Sequence, residues 1–469
     1  MKNIKVALVG AGSVQFAVGV LHDLVLSEKL TKEAHLTVHL MDIVPENMAH
    51  TYDYAVKLSE HFNYPMELKQ TLILEEALED ADFVITAIEV ERYEFWSQDF
   101  HIPRNYGSSQ IYGENGGPGS MFHTLRNLGP MLHIAHKMEE ICPQPWLINF
   151  TNPEAKLVEA ISKLTKIHAV GLCHGLDMGI TQISEFLERD KSTFEIEAGG
   201  LNHFGMFTKI TDKATGEDLY PAFKAAEARA DRLADWDHIG LSRTMLHIYG
   251  LYAYPGTNHC GEYLSWANDF YAGESLLYRY EPVQEKLWQK DSRVAEFVYA
   301  ADGTHLDGKL FETRMSQLEW MKQEFTFDPE KVRQSGEWAI PIIEAIFFDV
   351  KTYCTSVNFP NHGAIQGLPD DMVVETQAWI DGSGISLRPM SEKLPTAMLA
   401  MINIQGAIHQ LIIEAYTEQS KTKLLQAILL DPNAPTYYQA CALIDEMCER
   451  QNKYFEHLGG SILPKLEWK

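Results

Sequence analysis

Residues 4–12, IKVALVGAG, constrain the fold more than any other stretch of the chain. The apolar run ends on glycines, which is typical of a strand buried on both faces of a parallel sheet. The segment from Val14 to Leu30 that follows carries helical spacing. A buried strand, a glycine turn and a helix in this order predict that the chain begins with an α/β unit.

Further strands of this kind recur along the first part of the chain. LTVHLMD (36–42) ends on an acid, and ALEDADFVITAIEV (77–90) indicates a helix end, a turn and a third strand. PWLINFTNP (145–153) and KIHAVGLCHG (166–175) each run into a polar or glycine-bearing loop. Strands that alternate with helical stretches predict a Rossmann-type, doubly wound parallel sheet, which binds its ligands at the carboxyl ends of the strands.

The pattern changes after residue 198. AGGLNHFGMFTKITDKATGEDLY (198–220) predicts antiparallel strands around a turn. Helix formers with amphipathic spacing fill three stretches, 222–250, 276–300 and 395–457. We therefore expect two domains, a nucleotide-binding domain over 1–198 and an α+β domain over 199–469 with a helical C-terminal layer. Because no Pro/Ser-rich linker separates them, the two are expected to share an extensive interface.

Charge and cysteine content exclude several classes of function. The chain carries 39 Lys and Arg against 65 Asp and Glu, and this net charge of −26 repels nucleic acid and anionic membranes. Its six cysteines lack the density and spacing of a disulfide framework, so reduced thiols are expected. There is no signal-peptide pattern, and no stretch reaches about 18 uninterrupted apolar residues. These features predict a soluble, cytoplasmic protein without a nucleic-acid or membrane partner.

The glycine turn GAGSVQF (10–16) is similar to a dinucleotide-binding fingerprint whose third glycine is replaced by Gln15. Gly10 permits the tight turn, Gly12 lets the backbone approach a pyrophosphate, and the next helix points its N-terminal amides at the anion. Asp42, after the second strand, can accept the ribose hydroxyls and repels a 2′-phosphate, which favours NAD over NADP. The alternative is a glycine turn of another α/β protein with a helix-capping Asp. The residues expected to bind the nucleotide are Gly10, Gly12, Ser13, Gln15, Phe16 and Asp42.

A cysteine and a histidine stand at positions that suit metal ligands. Cys173 follows the strand HAVGL at the ligand-binding edge, and His203 lies between glycines in GGLNHFG (199–205). For a lone cysteine the ordinary interpretation is a small buried thiol. A thiolate with an imidazole suits a borderline divalent cation such as Mn²⁺, Co²⁺ or Ni²⁺, whose open positions accept substrate oxygens. The two residues therefore predict a metal site.

Five motifs are distributed over much of the chain: GAGSVQF (10–16), GGPGSMFHTLR (116–126), NFTNPE (149–154), GLCHG (171–175) and GLNHF (200–204). Together they resemble glycoside hydrolase family 4, the NAD- and metal-dependent glycosidases. The likeness extends to NHCGEYLSW (258–266) and VNFPNHGAIQGLPDDMVVE (357–375). It implies a fold similar to that of lactate and malate dehydrogenases. This family is an exception to the two-carboxylate scheme of glycoside hydrolysis.

The resemblance implies a redox-assisted hydrolysis. Enzymes of this family oxidise the sugar C3 hydroxyl by hydride transfer to NAD⁺, which acidifies the proton on C2. A base removes that proton while an acid assists departure of the aglycone from C1. Water then adds, and the C3 ketone is reduced again. A metal, most commonly Mn²⁺, stabilises the charge that develops on the O2 and O3 side.

Site residues follow from the same resemblance, position by position. Asn152 and His174 match substrate-contacting residues, and Cys173 and His203 match the metal ligands. Glu114 stands where the family usually carries an Asp proposed as the acid. The base falls among four neighbours, Thr257, His259, Glu262 and Tyr263, because family members use a Tyr or an Asp in this segment. His259 and Tyr263 are the candidates best suited to remove the C2 proton.

The resemblance also suggests a substrate class and an oligomeric state, and two other functions compete with it. The CHG of residues 173–175 resembles the branch that acts on α-linked uronic acids, such as α-galacturonides or α-glucuronides. Neutral α-galactosides or α-glucosides and sulfonated sugars stay open, whereas His174 speaks against a 6-phosphoglycoside. Relatives generally form dimers or tetramers, so a homodimer or homotetramer is expected. The competing hypotheses are a metal-free dehydrogenase of the lactate/malate type, and an inactive nucleotide-sensing protein.

Overall fold

A computed structural model describes residues 1–13, 16–64, 66–143, 145–230, 236–270, 326–458 and 462. The helix expected over 276–300 and the cofactor candidate Gln15 lie outside the described residues. Within the described ranges, strands join into one large sheet that has helices on both faces.

Twelve strands of the described residues form this sheet. They are β1 Lys2–Val9, β2 Ala34–Met41, β3 Glu67–Thr71, β4 Phe83–Thr86, β5 Trp146–Asn149, β6 His168–Gly171, β7 Phe194–Leu201, β8 Phe204–Asp212, β9 Ala253–Tyr254, β10 Thr352–Pro360, β11 Val373–Asp381 and β12 Gly384–Leu387. The order is β3-β2-β1-β4-β5-β6-β10-β11-β7-β8-β9, and β12 pairs with β11. The first six strands are parallel and the others antiparallel. The predicted doubly wound sheet with a following α+β part is confirmed.

The helices cover both faces of the sheet and form a layer at the C-terminal end. They are α1 Ala17–Leu26, α2 Glu28–Glu33, α3 Pro45–His61, α4 Leu74–Leu78, α5 Arg92–Asn105, α6 Gly117–Ile141, α7 Glu154–Leu164, α8 Gly175–Leu187, α9 Tyr220–Glu227, α10 Trp236–Tyr249, α11 Thr257–Cys260, α12 Ala339–Phe348, α13 Thr396–Thr417, α14 Lys421–Leu430, α15 Tyr437–Arg450 and α16 Asn452–Phe455. The helical expectations over 222–250 and 395–457 are confirmed.

Three details of the sequence interpretation need correction or remain open. The strand in 77–90 is the fourth along the chain, because the edge strand β3 is largely exposed and carries no apolar signal. The helix expected over Val14 to Leu30 is two helices, because Ser27 is extended and its side chain caps α2 by accepting from Leu30 N. The expected domain boundary at 198/199 falls inside β7, so that division stays a prediction.

Helix α13 is long and apolar enough, by length and composition, to cross a membrane. It nevertheless packs against α6, α7 and α14 and carries polar side chains into the protein interior. Gln405 and His409 are buried, and His409 Nδ1 lies 3.0 Å from Glu159 Oε2. Burial lowers the pKa of His409, and a helix that buries a hydrogen-bonded polar pair against its neighbours is built as part of the core.

Candidate active site

One row of paired residues crosses the sheet close to the loops that carry several candidate residues. It runs through Val9, Thr86, Asn149, Gly171, Asn358, Glu375, Gly200, Gly205 and Tyr254. The first four are the last residues of β1, β4, β5 and β6, so the loops after these strands leave the sheet side by side. Cys173 follows the row by two residues, and the turn that joins β7 to β8 adjoins it on the antiparallel side.

The glycine loop after β1 has the geometry that its sequence predicts. Gly10 adopts φ 86°, and a Cβ there would lie 2.4 Å from Ala87 O, so only glycine fits the turn. Gly12 N donates to Asp42 Oδ2 at 2.8 Å, and Val44 N donates to Asp42 Oδ1 at 2.8 Å. Asp42 therefore stands at the end of β2 beside the loop, where a ribose-binding acid belongs.

Two of the cofactor candidates, Ser13 and Phe16, lie just before the helix that follows the loop. Ser13 O accepts from Ala17 N, and Phe16 is the residue before the first turn of α1. The Phe16 ring stacks on Phe150, with centroids 4.7 Å apart, which ties the loop after β1 to the loop after β5. A cavity of about 370 Å³ lies between these rings, α1 and His174. The cavity therefore extends from the loop after β1 to His174, the residue that follows Cys173.

Cys173 meets the β7–β8 turn through Asn202. The Asn202 side chain hydrogen-bonds to Cys173 and donates from Nδ2 to Glu375 Oε2 at 3.3 Å. Burial, reinforced by the charge of Glu375, raises the pKa of the Cys173 thiol well above its usual value. A bound cation reverses this preference, because it stabilises the thiolate.

Two neighbours hold the Nδ1 side of the His203 ring. The residue adopts φ 66° in the turn, and its Nδ1 lies 3.4 Å from Glu262 Oε2 and 3.2 Å from Asn115 Nδ2. When Glu262 is ionised it can only accept a hydrogen bond, so Nδ1 then carries the proton and Nε2 keeps its lone pair. Burial lowers the pKa of His203 to about 4, which keeps the ring neutral near pH 7.

Glu114 lies in a loop whose backbone is held from several sides. Glu262 Oε1 accepts from Glu114 N at 2.7 Å and from Asn115 N at 2.8 Å. His123 Nδ1 lies 3.1 Å from Glu114 O, and Lys156 Nζ donates to Asn115 O. Burial and the nearby charge of Glu114 raise the pKa of Glu262 to about 8. The Glu114 carboxyl is therefore close to Glu262 and to the His203 turn.

The four candidates for the base separate by their contacts. Thr257 Oγ1 accepts from Leu241 N at 3.2 Å, and Glu262 Oε1 accepts from Glu114 N at 2.7 Å. Tyr263 Oη donates to Asn202 O at 3.1 Å and lies 3.4 Å from Asn115 O, between the loop and the turn. His259 is half-buried, and its ring centroid lies 4.2 Å from that of His203. Burial lowers the pKa of His259 well below its usual value.

The two expected sugar contacts flank the same region. Asn152 is half-buried, and its carbonyl accepts from Asn127 Nδ2 at 2.8 Å. His174 is exposed, and its Nδ1 lies 3.3 Å from Glu337 Oε1. That hydrogen bond raises the pKa of His174. Both residues follow strand ends of the parallel sheet and lie beside the loop of Cys173.

Buried charged residues around the site escaped the sequence interpretation. Glu154 is 1% exposed, and its Oε1 occupies the space of a Cβ on Gly171, at 1.1 Å. Burial and the charge of Glu375 raise the pKa of Glu154 well above its usual value, and burial raises that of Glu375 to about 7. Lys156 is buried beneath the Glu114 loop, which lowers its pKa to about 8. The only sequence signal was the glycine at the end of β6, which leaves room for a neighbour.

Two protein-family models match nearly the whole chain. The model of the family 4 glycosyl hydrolases matches residues 5–188, and the model of the C-terminal domain of that family matches residues 198–434. The two models together cover far more than half of the chain.

Individual relatives are distant but extend over the full length. The chain is 28% identical to an α-glucosidase of Erwinia rhapontici, with 97% of this chain and 99% of the relative covered. It is 27% identical to an α-galacturonidase of Thermoanaerobacter italicus, with 97% and 98% covered. A solved 6-phospho-α-glucosidase from gut microorganisms, in complex with NAD and Mn²⁺, superposes with a TM-score of 0.76 at 22% identity, covering 97% of this chain and 99% of that one.

Proposed function

The chain belongs to family 4 of the glycosyl hydrolases, and on that premise we propose that it hydrolyses an α-glycoside with NAD and one divalent cation. The observation that carries this proposal is the meeting of Cys173 with the Asn202–His203 turn. The Asn202 side chain hydrogen-bonds to Cys173, and His203 is the next residue of the same turn. Asn202 Oδ1 has no hydrogen-bond partner among the described residues.

These residues fit the two cofactors. The mixed sulfur, nitrogen and oxygen donors suit Mn²⁺, Co²⁺ or Ni²⁺. The tight glycine turn and Asp42 suit NAD, whose pyrophosphate the loop amides would hold and whose adenosine ribose Asp42 would bind. When bound, NAD would supply the hydride acceptor for C3 of the sugar and the cation would polarise the neighbouring oxygens, and both effects would acidify the C2 proton.

Tyr263 and Glu114 carry the proton transfers in this proposal. Tyr263 Oη removes the C2 proton, because it lies between the Glu114 loop and the metal turn and is one of the two residue types that the family uses. Burial raises the pKa of Tyr263 well above its usual value, so its action as a base depends on the positive charge beside it. Glu114 gives a proton to the departing O1 oxygen, and Asn152 and His174 bind the sugar hydroxyls. His259 is the alternative base.

A neutral α-hexoside is the first candidate substrate. It is supported by the 28% identical relative that is an α-glucosidase. The buried ammonium of Lys156 already donates to Asn115 O and to Ser120 Oγ, the latter at 3.1 Å. An α-uronide is the second candidate, supported by the CHG motif at Cys173 and by the α-galacturonidase relative.

A substrate panel tests the proposal. Nitrophenyl α-glucoside, α-galactoside and α-galacturonide are offered to the protein with NAD⁺, Mn²⁺ and a reductant, and the absorbances of nitrophenol and NADH are followed. We expect release of nitrophenol from a neutral α-hexoside without accumulation of NADH. If the protein cleaves the galacturonide faster, its substrate is an α-uronide and not a neutral α-hexoside. Net NADH production without glycoside cleavage contradicts the glycosidase and favours a dehydrogenase.

The assembly and the cellular location stay predictions. A homodimer or homotetramer is expected from the family resemblance, and sedimentation velocity of the purified protein measures it directly. The expected cytoplasmic location agrees with the need for a reduced Cys173 thiol as a metal ligand.

A further inference from the structure

Glu262 contacts both the Glu114 loop and His203. Its Oε1 accepts the backbone N–H groups of Glu114 and Asn115, at 2.7 and 2.8 Å, and its Oε2 lies 3.4 Å from His203 Nδ1. The side chain is fully buried, and a Cβ on Gly116 would lie 2.7 Å from Glu262 Cβ. One carboxylate therefore joins the loop of the acid to the imidazole of the metal turn.

The two oxygens of Glu262 perform different tasks. Oε1 receives two backbone donors that are fixed in the loop. Oε2 faces His203 Nδ1 at 3.4 Å, and the ionised carboxylate would hold a proton on Nδ1 and leave Nε2 available to a cation. The same Nδ1 lies 3.2 Å from Asn115 Nδ2, and a flip of that side-chain amide would present its oxygen to a protonated Nδ1.

We propose that Glu262 is a positioning residue that couples occupation of the metal site to placement of the Glu114 loop. The proposal rests on the function proposed above in one respect, that His203 binds the cation. A cation on Nε2 withdraws charge from the ring and strengthens the hydrogen bond from Nδ1 to Oε2. The carboxylate is then fixed more firmly, and so are the two amides on Oε1. By thermodynamic reciprocity, a displaced loop weakens metal binding to the same extent.

The loop has other supports, which makes a mild substitution informative. Lys156 and Tyr263 hold Asn115 O, and His123 lies against Glu114 O. Glu262→Gln keeps one oxygen for the two amides but places an NH₂ group against His203 Nδ1. A donor there favours the tautomer with the proton on Nε2, which blocks the metal-binding nitrogen.

The experiment measures Mn²⁺ affinity by the electron paramagnetic resonance signal of free Mn²⁺, without substrate. We expect Glu262→Gln to weaken Mn²⁺ binding about 10- to 100-fold while NAD⁺ affinity stays within about twofold. Asn115→Asp in the Glu262→Gln background returns a carboxylate to His203 Nδ1 and is expected to restore most of the lost affinity. The matched control is Glu197→Gln, because Glu197 is also buried and accepts the N–H groups of Ser391 and Glu392, at 3.0 and 3.2 Å, away from the site. It is expected to leave Mn²⁺ affinity unchanged.

A second measurement uses the unaltered protein, so that it does not depend on the folding of a variant. Hydrogen exchange followed by mass spectrometry reports the protection of the amides of Glu114 and Asn115. We expect Mn²⁺ to slow their exchange at least about threefold, since a firmer hydrogen bond lowers the population of the open loop. Unchanged exchange with Mn²⁺, or unchanged Mn²⁺ affinity in folded Glu262→Gln, overturns the coupling.

Failure of this inference is distinguishable from failure of the proposed function. If Cys173→Ser loses Mn²⁺ but Glu262→Gln keeps it, the metal site stands and the coupling through Glu262 is wrong. If Cys173→Ser binds Mn²⁺ as tightly as the unaltered protein, the metal site itself is wrong, and with it the basis of the coupling.

Discussion

The proposed nucleotide end and the proposed metal end of the site are built in opposite ways. At the nucleotide end, Gly10, Gly12 and Asp42 interact through backbone amides, and two short segments contain almost all the determinants. At the metal end, Cys173, the Asn202–His203 turn and Glu262 come from three distant segments and interact through buried side chains. The first region depends on local backbone geometry, and the second depends on the packing of the whole sheet.

The two ends are expected to respond differently to substitutions. The glycine loop is held by its own backbone amides on Met41 O and the Asp42 carboxylate, so it is expected to keep its shape when a side chain of the metal end changes. A cluster of a half-buried thiol, a buried imidazole and a buried carboxylate depends on every partner, since removal of one leaves the polar groups of the others unpaired. Substitutions at the metal end are therefore expected to abolish activity while nucleotide binding survives.

The largest expected effect is at Cys173. Cys173→Ser is expected to lower turnover of the best α-glycoside by more than about 1,000-fold, because the loss of several kcal/mol of charge stabilisation by the cation acts on the reacting centre. NAD⁺ affinity, measured by calorimetry, is expected to change less than about twofold, because the glycine loop keeps its backbone contacts. A parallel loss of NAD⁺ affinity contradicts the independence of the two ends.

Tyr263 gives the next largest effect. Tyr263→Phe is expected to lower turnover about 100-fold or more, as removal of a general base commonly does. It is also expected to stop the loss of deuterium to solvent from a substrate labelled at C2, whereas Mn²⁺ and NAD⁺ still bind. His259→Asn is the comparison variant. If label loss persists in Tyr263→Phe and stops in His259→Asn, the base is His259.

Asp42 tests the nucleotide end by itself. Asp42→Ala is expected to weaken NAD⁺ binding about 10- to 100-fold, since hydrogen bonds to a charged group contribute about 1.5–3 kcal/mol. It is also expected to reduce the preference for NAD⁺ over NADP⁺, because the charge that repels a 2′-phosphate is gone. Mn²⁺ affinity is expected to stay unchanged. Equal support of turnover by both nucleotides in the unaltered protein contradicts the role of Asp42.

The smallest effect concerns stability at the base of the metal end. Gly171→Ala is expected to lower the free energy of unfolding by about 1–3 kcal/mol, because its Cβ meets Glu154 Oε1. In the Glu154→Ala background the same change is expected to cost little, since the colliding carboxyl is absent. Urea denaturation of the four proteins forms a double-mutant cycle. Equal costs in both backgrounds show that the two residues do not share this space.

The parallel sheet was predictable because its strands carry continuous apolar runs with glycine or polar ends. β3 was not, because an exposed edge strand has no apolar periodicity. The break of the first helix at Ser27 was also missed, since a capping serine inside an apolar helical stretch gives a weak signal.

The residues of the site also differ in how well the sequence predicts them. Gly10, Gly12 and Asp42 stand in a fixed local spacing that the sequence displays directly. Glu154, Lys156 and Glu375 are recognisable only when the fold buries them against Gly171, Asn115 and Asn202. Their roles depend on contacts between residues far apart in the chain, and a single sequence contains no signal for such contacts.

Cobalt substitution tests the central claim most directly, that Cys173 and His203 hold one divalent cation beside the nucleotide loop. Co²⁺ is added to the reduced, metal-free protein, and the near-ultraviolet absorption is followed. The account predicts a thiolate-to-cobalt charge-transfer band that saturates at one equivalent, disappears in Cys173→Ser and weakens in His203→Ala. Absence of the band in the unaltered protein, or an undiminished band in Cys173→Ser, contradicts the account.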